Sequence, residues 1–340
     1  LLGAQLGMKI GYLINDLARL EPDQTTTLLI HGCAVRGHEV WVFDVTQLTA
    51  APDGVVEVQG ARLSALGEVA QVPEQLRSVA KERLTLDSLD VLVLRTNPGR
   101  DKAKAWAHEA ALELLLILKS RGVPVVNDPL GARVCGSKMF LHGLPADFRP
   151  RTLISSQPEA IETFVRGAEG ATVLKPVKGS WGEDVFCVEA KDRNLKAIIE
   201  ILTRTGYVVA QEFLPAVKDG DIRLLLLRGE PLVVEGRLAA VRRVPPPGEF
   251  RSNIHLGGTP NRVPTLTPEL ERIAAGVGPE LAARGVLLAG LDVVGNRLLE
   301  VNAWSPGGLT DASEFQGVDF TSVVIDALEA AGGAGSASRA

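Results

Sequence analysis

Apolar and polar positions along the chain repeat with two different periods. Met8–Ile14 is a short apolar run, and Gln24–Arg36 follows with apolar residues at helical spacing, ending at Gly37, a suitable C′ residue. Glu39–Val45 and Val91–Leu94 are strand-like, Ala103–Lys119 is a long amphipathic helix closed by Arg121-Gly122, and Val123–Asn127 is again a strand. Strands alternating with helices predict βαβ units around a parallel sheet, an α/β fold. A second series runs strand Thr152–Ile154, helix Pro158–Arg166, strands Ala171–Pro176 and Val185–Glu189, helix Lys191–Arg204, strand Val208–Phe213, with Leu214-Pro215 as a hinge. A third begins with strands Arg223–Leu227 and Pro231–Leu238. Residues 242–262, rich in Arg, Pro and Gly, read as one long loop ordered by ligand. Helix Thr267–Arg284 opens with Thr267-Pro268 as N-cap and N1. Strands Leu287–Val294 and Leu298–Ala303 and a last helix, Asp319–Ala331, complete the pattern.

This layout divides the chain into an N-terminal α/β domain (8–127), a central domain (128–214) and a C-terminal domain (215–331). Residues 1–7 are set aside as an extension, and 332–340, GGAGSASRA, are expected to be a frayed tail. The 340 residues are 46% hydrophobic and 23% charged, the balance of a globular protein with ample cores. A formal charge of −5 argues against a general nucleic-acid binder, and no apolar run reaches membrane-spanning length. Cys33, Cys135 and Cys187 are far apart and lack a CxxC pair, which fits a reducing, cytoplasmic compartment.

The chemistry concentrates in Val286–Leu309. Asp292, Glu300 and Asn302 interrupt an apolar hairpin, where acids are costly unless paired or metal-bound. Glu300 and Asn302, two apart, face the same way on a strand. Asp292 joins them if the turn has three residues, pairing 292 with 300; a two-residue turn would pair 291 with 300 and turn Asp292 away. Converging oxygen side chains suit Mg²⁺; the alternative is that they cap strand ends or pair with arginines. Asp16, Arg95 and Asn97 follow strand C-termini, where α/β sheets bind ligands, or serve as turn residues. Between two strands, Lys178-Gly179-Ser180-Trp181-Gly182-Glu183-Asp184 has the glycines of a hinged flap able to offer backbone N–H groups to phosphate. The first strand is not followed by GxGxxG, against a hydride-transferring oxidoreductase. GARVCGSK (131–138) has Gly-Ser-Lys where a Walker loop needs Gly-Lys-Ser/Thr.

Several stretches together resemble the bacterial glutathione synthetases, ATP-grasp carboxylate–amine ligases. They are VVNDP at 125–129, Lys138 of GSK, VLKPV at 173–177, QEFLPAVKDGDIRLLLLRGEP at 211–231, RSNIHLGG at 251–258 and GLDVVGNRLLEVNAWSP at 290–306. The resemblance implies an ATP-grasp fold with a Rossmann-like N-terminal α/β domain, a central lid and a C-terminal catalytic domain. It further implies that ATP drives amide formation through an acyl-phosphate. Lys138 and Lys175 would hold phosphates with the flap residues Gly179, Ser180, Trp181 and Gly182. Gln211, Glu212, Phe213 and Leu214 would receive the nucleoside. Asp292, Glu300 and Asn302 would hold two Mg²⁺ ions, with Mn²⁺ as a substitute. Arg223, Arg243, Arg251 and Asn253 would contact phosphate or the reacting substrate. Ser305, Pro306, Gly307 and Gly308, with Asp16 and Arg95, would receive substrate. The implied substrates are small molecules, a γ-glutamyl dipeptide and an amine such as glycine, with no nucleic acid or membrane partner, in a homo-oligomer (dimer or tetramer). The flap's GSWG and the SPGGL loop (305–309) depart from the family pattern. They leave open another acid–amine pair, and a nucleotide-binding protein without catalysis is the alternative of a different class.

Overall fold

The computed structural model describes residues 7–64, 67–179, 183–251 and 257–339. The first unit contains β1 (Lys9–Ile14), α1 (Thr25–Val35), β2 (Glu39–Asp44), β3 (Leu48–Ala50), β4 (Val56–Arg62), α2 (Val72–Ser78), β5 (Glu82–Thr85), β6 (Val91–Arg95), α3 (Ala105–Ser120), β7 (Val125–Val126) and α4 (Pro129–Cys135). β1 lies parallel between β2 and β6, and β6 is parallel to β7. These strands are covered on both faces, which is why they read as unbroken apolar runs. The antiparallel β3, β4 and β5 extend the sheet beyond β2. The apolar pattern did not reveal them, because polar exposed residues such as Gln59, Glu82 and Arg83 interrupt it.

The central unit is a four-stranded antiparallel sheet of β8 (Thr152–Ser155), β9 (Thr172–Pro176), β10 (Phe186–Val188) and β11 (Val208–Glu212), in the order β10-β9-β11-β8. Two helices, α5 (Pro158–Arg166) and α6 (Leu195–Thr203), pack on it through Ile161, Val165, Ile199 and Leu202.

The third unit comprises β12 (Asp221–Leu227), β13 (Glu230–Pro231), β14 (Val233–Val234), β15 (Arg237–Leu238), β16 (Ala240–Val244), β17 (Thr259–Arg262), α7 (Pro268–Ala283), β18 (Leu288–Val294), β19 (Arg297–Asn302), α8 (Leu309–Gln316) and α9 (Phe320–Arg339). Its main sheet has the order β17-β16-β12-β18-β19. β12, DIRLLLL, explains the layering. Ile222, Leu224 and Leu226 face α7 and share a core with Leu270, Ile273, Val277 and Leu281. Asp221, Arg223 and Leu225 face the other way, polar at one end of the strand and apolar at the other.

Two expectations are corrected here. The 242–262 segment is a hairpin with strands at both ends, since Arg242 and Arg243 belong to β16, opposite Asn261 and Pro260 of β17. Proline and glycine between the strands, with arginine inside them, masked the alternation. The last helix does not stop at Ala331 to leave a tail; it continues to Arg339. Its glycines permit close approach. A Cβ on Gly332 would lie 3.2 Å from the Asp90 carbonyl oxygen, and one on Gly335 would lie 2.2 Å from Pro124. The helix belongs by packing to the first unit. Phe320, Val324, Ile325 and Leu328 share one core with Ile10, Tyr12, Leu29 and Ile30. Arg36 donates to Asp326 and Glu329, and the His38 ring bonds Glu329 at 2.8 Å. Among the described residues no helix is long and apolar enough to cross a membrane.

Asn127 ties the first unit to the third. Its Nδ2 donates to the carbonyls of Leu288 (2.8 Å) and Ala303 (2.6 Å), and its Oδ1 accepts from the backbone N–H groups of Leu287 and Leu288. A buried amide thereby uses two donors and two acceptor sites. Asn127→Ala leaves those four backbone groups unpaired and is expected to cost about 2–4 kcal/mol, read as a lower urea midpoint. An unchanged midpoint would show that water or neighbouring backbone replaces the amide.

Candidate active site

The polar end of the third sheet carries charges on one face across four strands. Arg223 of β12 lies directly opposite Asp292 of β18, and Asp221 lies directly opposite Arg243 of β16. Arg223 clamps Asp292 through Nε to Oδ1 and through Nη2 to Oδ2, the latter at 2.8 Å. Arg243 clamps Asp221 in the same two-pronged manner and reaches Asp292 at 3.0 Å. Arg243, Asp221 and Asp292 are all buried. Burial pushes the Asp292 carboxyl up, but Arg223 and then Arg243 overcome this and hold it well below the usual carboxylate range. Burial opposes the Arg243 charge, yet Asp292 and Asp221 hold its ionisation above the ordinary arginine value. For Asp221 burial wins, and its carboxyl lies above the ordinary value despite Arg243.

Gly290 makes this clamp possible. It is on the same face as Asp292, and a Cβ there would lie 2.7 Å from Arg223 Cδ. The arginine stem therefore crosses β18 over a residue without a side chain. Gly290→Ala is expected to move Arg223 off Asp292 and lower kcat/KM by at least tenfold while the circular dichroism spectrum is retained. Full activity would show that the stem has another path.

The hairpin register brings Asp292 and Glu300 together by a different route from a three-residue turn. The turn has two residues, Gly295-Asn296, with Val294 opposite Arg297 and Val293 opposite Leu298. A β-bulge then inserts Leu299 as an extra residue, so that Asp292 faces Glu300 and Gly290 faces Asn302. The bulge also turns Leu299 into the neighbouring cleft. Asn302 Nδ2 donates to Asp292 at 3.2 Å. The Glu300 carboxylate makes no hydrogen bond or ion pair with any described residue. Among the described residues no group of three or more His, Cys, Asp or Glu could hold a metal ion unaided. Two carboxylates and an amide do fit a hard cation whose remaining positions are filled by phosphate oxygens: Asp292 Oδ2 already accepts from Arg223, Arg243 and Asn302, but among the described residues Oδ1 accepts from Arg223 alone and keeps a lone pair, as does the Glu300 carboxylate.

The cleft beside Glu300 is lined by Lys138, Leu141, His142, Arg149, Thr152, Lys175, Val209, Gln211 and Leu299. Lys175 Nζ donates to Gln211 Oε1 at 3.1 Å, and Gln211 Nε2 to Thr152 Oγ1 at 3.2 Å. Lys138 Nζ donates to the Gly179 carbonyl at 2.7 Å, so the flap's first glycine lies against it. His142, Arg149 and Thr152 were not singled out from sequence. They stand in and just after a linker with no periodicity, and only its position beside Lys138 could have drawn notice. At the hinge, Phe213 meets Phe250 edge to face at 6.1 Å, linking it to the loop after β16. Glu212 and Leu214 flank it, half-buried.

Other expected site residues fall elsewhere. Arg95 is buried, the last residue of β6, and bonded to protein rather than open to a ligand. Asp16 caps a short 3₁₀ turn through Ala18 N–H and pairs with Lys104. Arg251 pairs with Glu249. Ser305, Pro306, Gly307 and Gly308 lead from β19 to α8, with Arg223 donating weakly to the Gly307 carbonyl at 3.4 Å. Ser180, Trp181, Gly182 and Asn253 lie outside the described residues. Arg100, which sequence reasoning also missed, lies near Arg223 and Glu300.

Three successive units, the second a four-stranded antiparallel sheet with two helices and the third a wholly antiparallel sheet backed by α7, make up the ATP-grasp fold. D-cycloserine synthetase DcsG superposes with a TM-score of 0.61 at 18% identity, covering 94% of this chain and 99% of that one. The ATP-grasp ligase PsnB, in a structure with a phosphomimetic variant of its minimal precursor, Mg and ADP, superposes with a TM-score of 0.56 at 21% identity, covering 96% and 99%. Family models for the prokaryotic glutathione synthetase N-terminal domain and ATP-grasp domain match residues 8–133 and 137–317. Glutathione synthetases of Synechococcus elongatus and Nitrosomonas europaea are 34% and 33% identical, each covering 95% of this chain and 98% of the relative. The chain belongs to the prokaryotic glutathione synthetase family. It is an ATP-binding carboxylate–amine ligase that forms an amide bond between small molecules.

Burial brings the Lys175 ammonium down to about 8, against a pull upward from Glu300. It is therefore charged below that pH and loses its charge above it. If this ammonium meets phosphate, kcat/KM for ATP should fall about tenfold per pH unit above pH 8, and Lys175→Arg should move the fall to higher pH. A profile unchanged by the substitution would detach Lys175 from nucleotide binding.

Proposed function

We propose that this chain joins the cysteinyl carboxylate of γ-glutamylcysteine to the amine of glycine, converting ATP to ADP and phosphate. One observation carries the reading: Lys138 and Lys175 line one cleft with Leu299, next to Glu300 on β19, and Lys175 lies within charge reach of Glu300 and Asp292, in a chain matched over nearly its whole length by glutathione synthetases.

The residues take the following parts. Lys138 and Lys175 hold the nucleotide phosphates, with the flap at 178–184 closing over them and the nucleoside against Gln211, Glu212, Phe213 and Leu214. Asp292, Glu300 and Asn302 hold two magnesium ions, replaceable by manganese, whose charge offsets that of the phosphates. Arg223, already beside the Gly307 carbonyl, orients the donor carboxylate. That carboxylate forms a bond to the γ-phosphorus as the bond to ADP breaks, and fixed cations stabilise the charge that builds up. The glycine nitrogen then bonds the acyl carbon, phosphate leaves, and the amine proton passes to solvent. Closure excludes water from the acyl-phosphate. Arg243, Arg251 and Asn253 take the role of contacting nucleotide phosphate or substrate. Buried Cys33 and Cys135 without a disulfide support a cytoplasmic setting, and exposed Trp106 and Leu130 support a homo-oligomer.

A second reading, another acid–amine pair, is favoured by one feature: a Cβ on Gly307 would meet nothing within 4 Å, so the loop leaves room for a larger acceptor. ADP release coupled to mass detection of the amide tests both. γ-Glutamylcysteine with glycine should give ADP and tripeptide, with neither substrate sufficient alone. Turnover of another pair, with none of this one, would retain the chemistry and change the substrates.

A further inference from the structure

Arg95 is 6% exposed and has no acidic partner among the described residues. A buried cation without an acid is costly and calls for a physical account. Burial lowers its ionisation to about 10, so it remains charged at neutral pH. Its Nε donates to Thr26 Oγ1 at 3.0 Å, and its Nη2 donates to the Pro306 carbonyl at 2.9 Å. The first contact fixes the guanidinium on α1, and the second holds the loop from Ser305 to Leu309. The same loop is pinned twice more by the first unit. Leu309 N–H donates to Thr25 Oγ1 at 3.2 Å, and Thr310 Oγ1 donates to the Asp23 carbonyl at 2.7 Å. The loop cannot hold its own shape through side chains, because Gly307 and Gly308 have none and Gly308 sits at φ +105°. Its shape comes from outside.

We propose that Arg95 is the positioning residue of the acceptor loop: acting through the Pro306 carbonyl, it fixes the loop and sets an unneutralised positive charge behind it, which selects an acceptor amine carrying a carboxylate. The proposal rests on the ligase reading above. Its chemistry is specific. A planar guanidinium can serve Thr26 and Pro306 at once, whereas a lysine ammonium supplies the charge without the fork. An uncharged acceptor gains nothing from that charge, so the residue acts on choice of amine and not on ATP.

The test compares glycine with glycinamide as acceptor in the wild-type protein, Arg95→Lys, Arg95→Gln and Thr26→Val. Wild-type turnover with glycine first establishes the ligase reading; without it that reading has failed, whatever Arg95 does. The wild-type protein should favour glycine over glycinamide by at least tenfold in kcat/KM. Arg95→Gln should raise the KM for glycine at least tenfold, remove most of that preference, and leave the KM for ATP within about twofold. Arg95→Lys should retain the preference with a raised KM. If Arg95→Gln does not fold, Thr26→Val, which leaves the charge in place and loosens it, decides. A severalfold rise in the KM for glycine alone supports the proposal, and no change overturns it. An equal rise for ATP and amine, a rise confined to the acid donor, or an undiminished preference in Arg95→Gln also overturns it.

Discussion

Two arginines and two aspartates, facing one another across three strands, are the constraint on which the third sheet depends. Removing any one leaves a buried charge without its counterpart, which costs more than the pair itself contributes. The cluster fixes strand register, since a one-residue slip would turn each member to the face packed against α7. It also fixes chemistry. Asp292 is held ionised next to Glu300 and Asn302, within charge reach of Lys175. Gly290, the Leu299 bulge and the opposed pairs Arg223–Asp292 and Asp221–Arg243 all serve that one alignment.

Much of this was legible from sequence because the strands bury at least one face. β1, β6, β9, β11 and β18 announce themselves as apolar runs, and the acids that interrupt β18 and β19 mark the candidate site. The register of that hairpin was not legible. A two-residue turn should have turned Asp292 away, and only the bulge, which has no residue signature, restored its position. β16 and β17 were hidden for another reason. Arg243 is buried because Asp221 lies opposite it, a partner 22 positions away that no local period reveals. β3 to β5 were missed because they are half-exposed and polar.

Arg95 shows the same limit from the other side. The end of a parallel strand is where sheets of this kind hold ligands, and a charged residue there invites that assignment. Its actual partner, the Pro306 carbonyl, lies 211 positions further along. The resemblance to ligases singled out Lys138 and Lys175. Their immediate partners, Gly179 for Lys138 and Gln211 for Lys175, are set by the folded chain.

The docking of α9 onto α1 and β6 bears on the order in which the protein can assemble. A chain emerging from the ribosome finishes β7 long before Phe320, Val324, Ile325 and Leu328 exist to cover Ile10, Tyr12 and Leu29. Until then one face of the first sheet lacks its permanent neighbour, and nascent sheets with bare apolar faces are prone to association. The unit begun first is therefore among the last to be completed, and an isolated N-terminal fragment would be born with its core open.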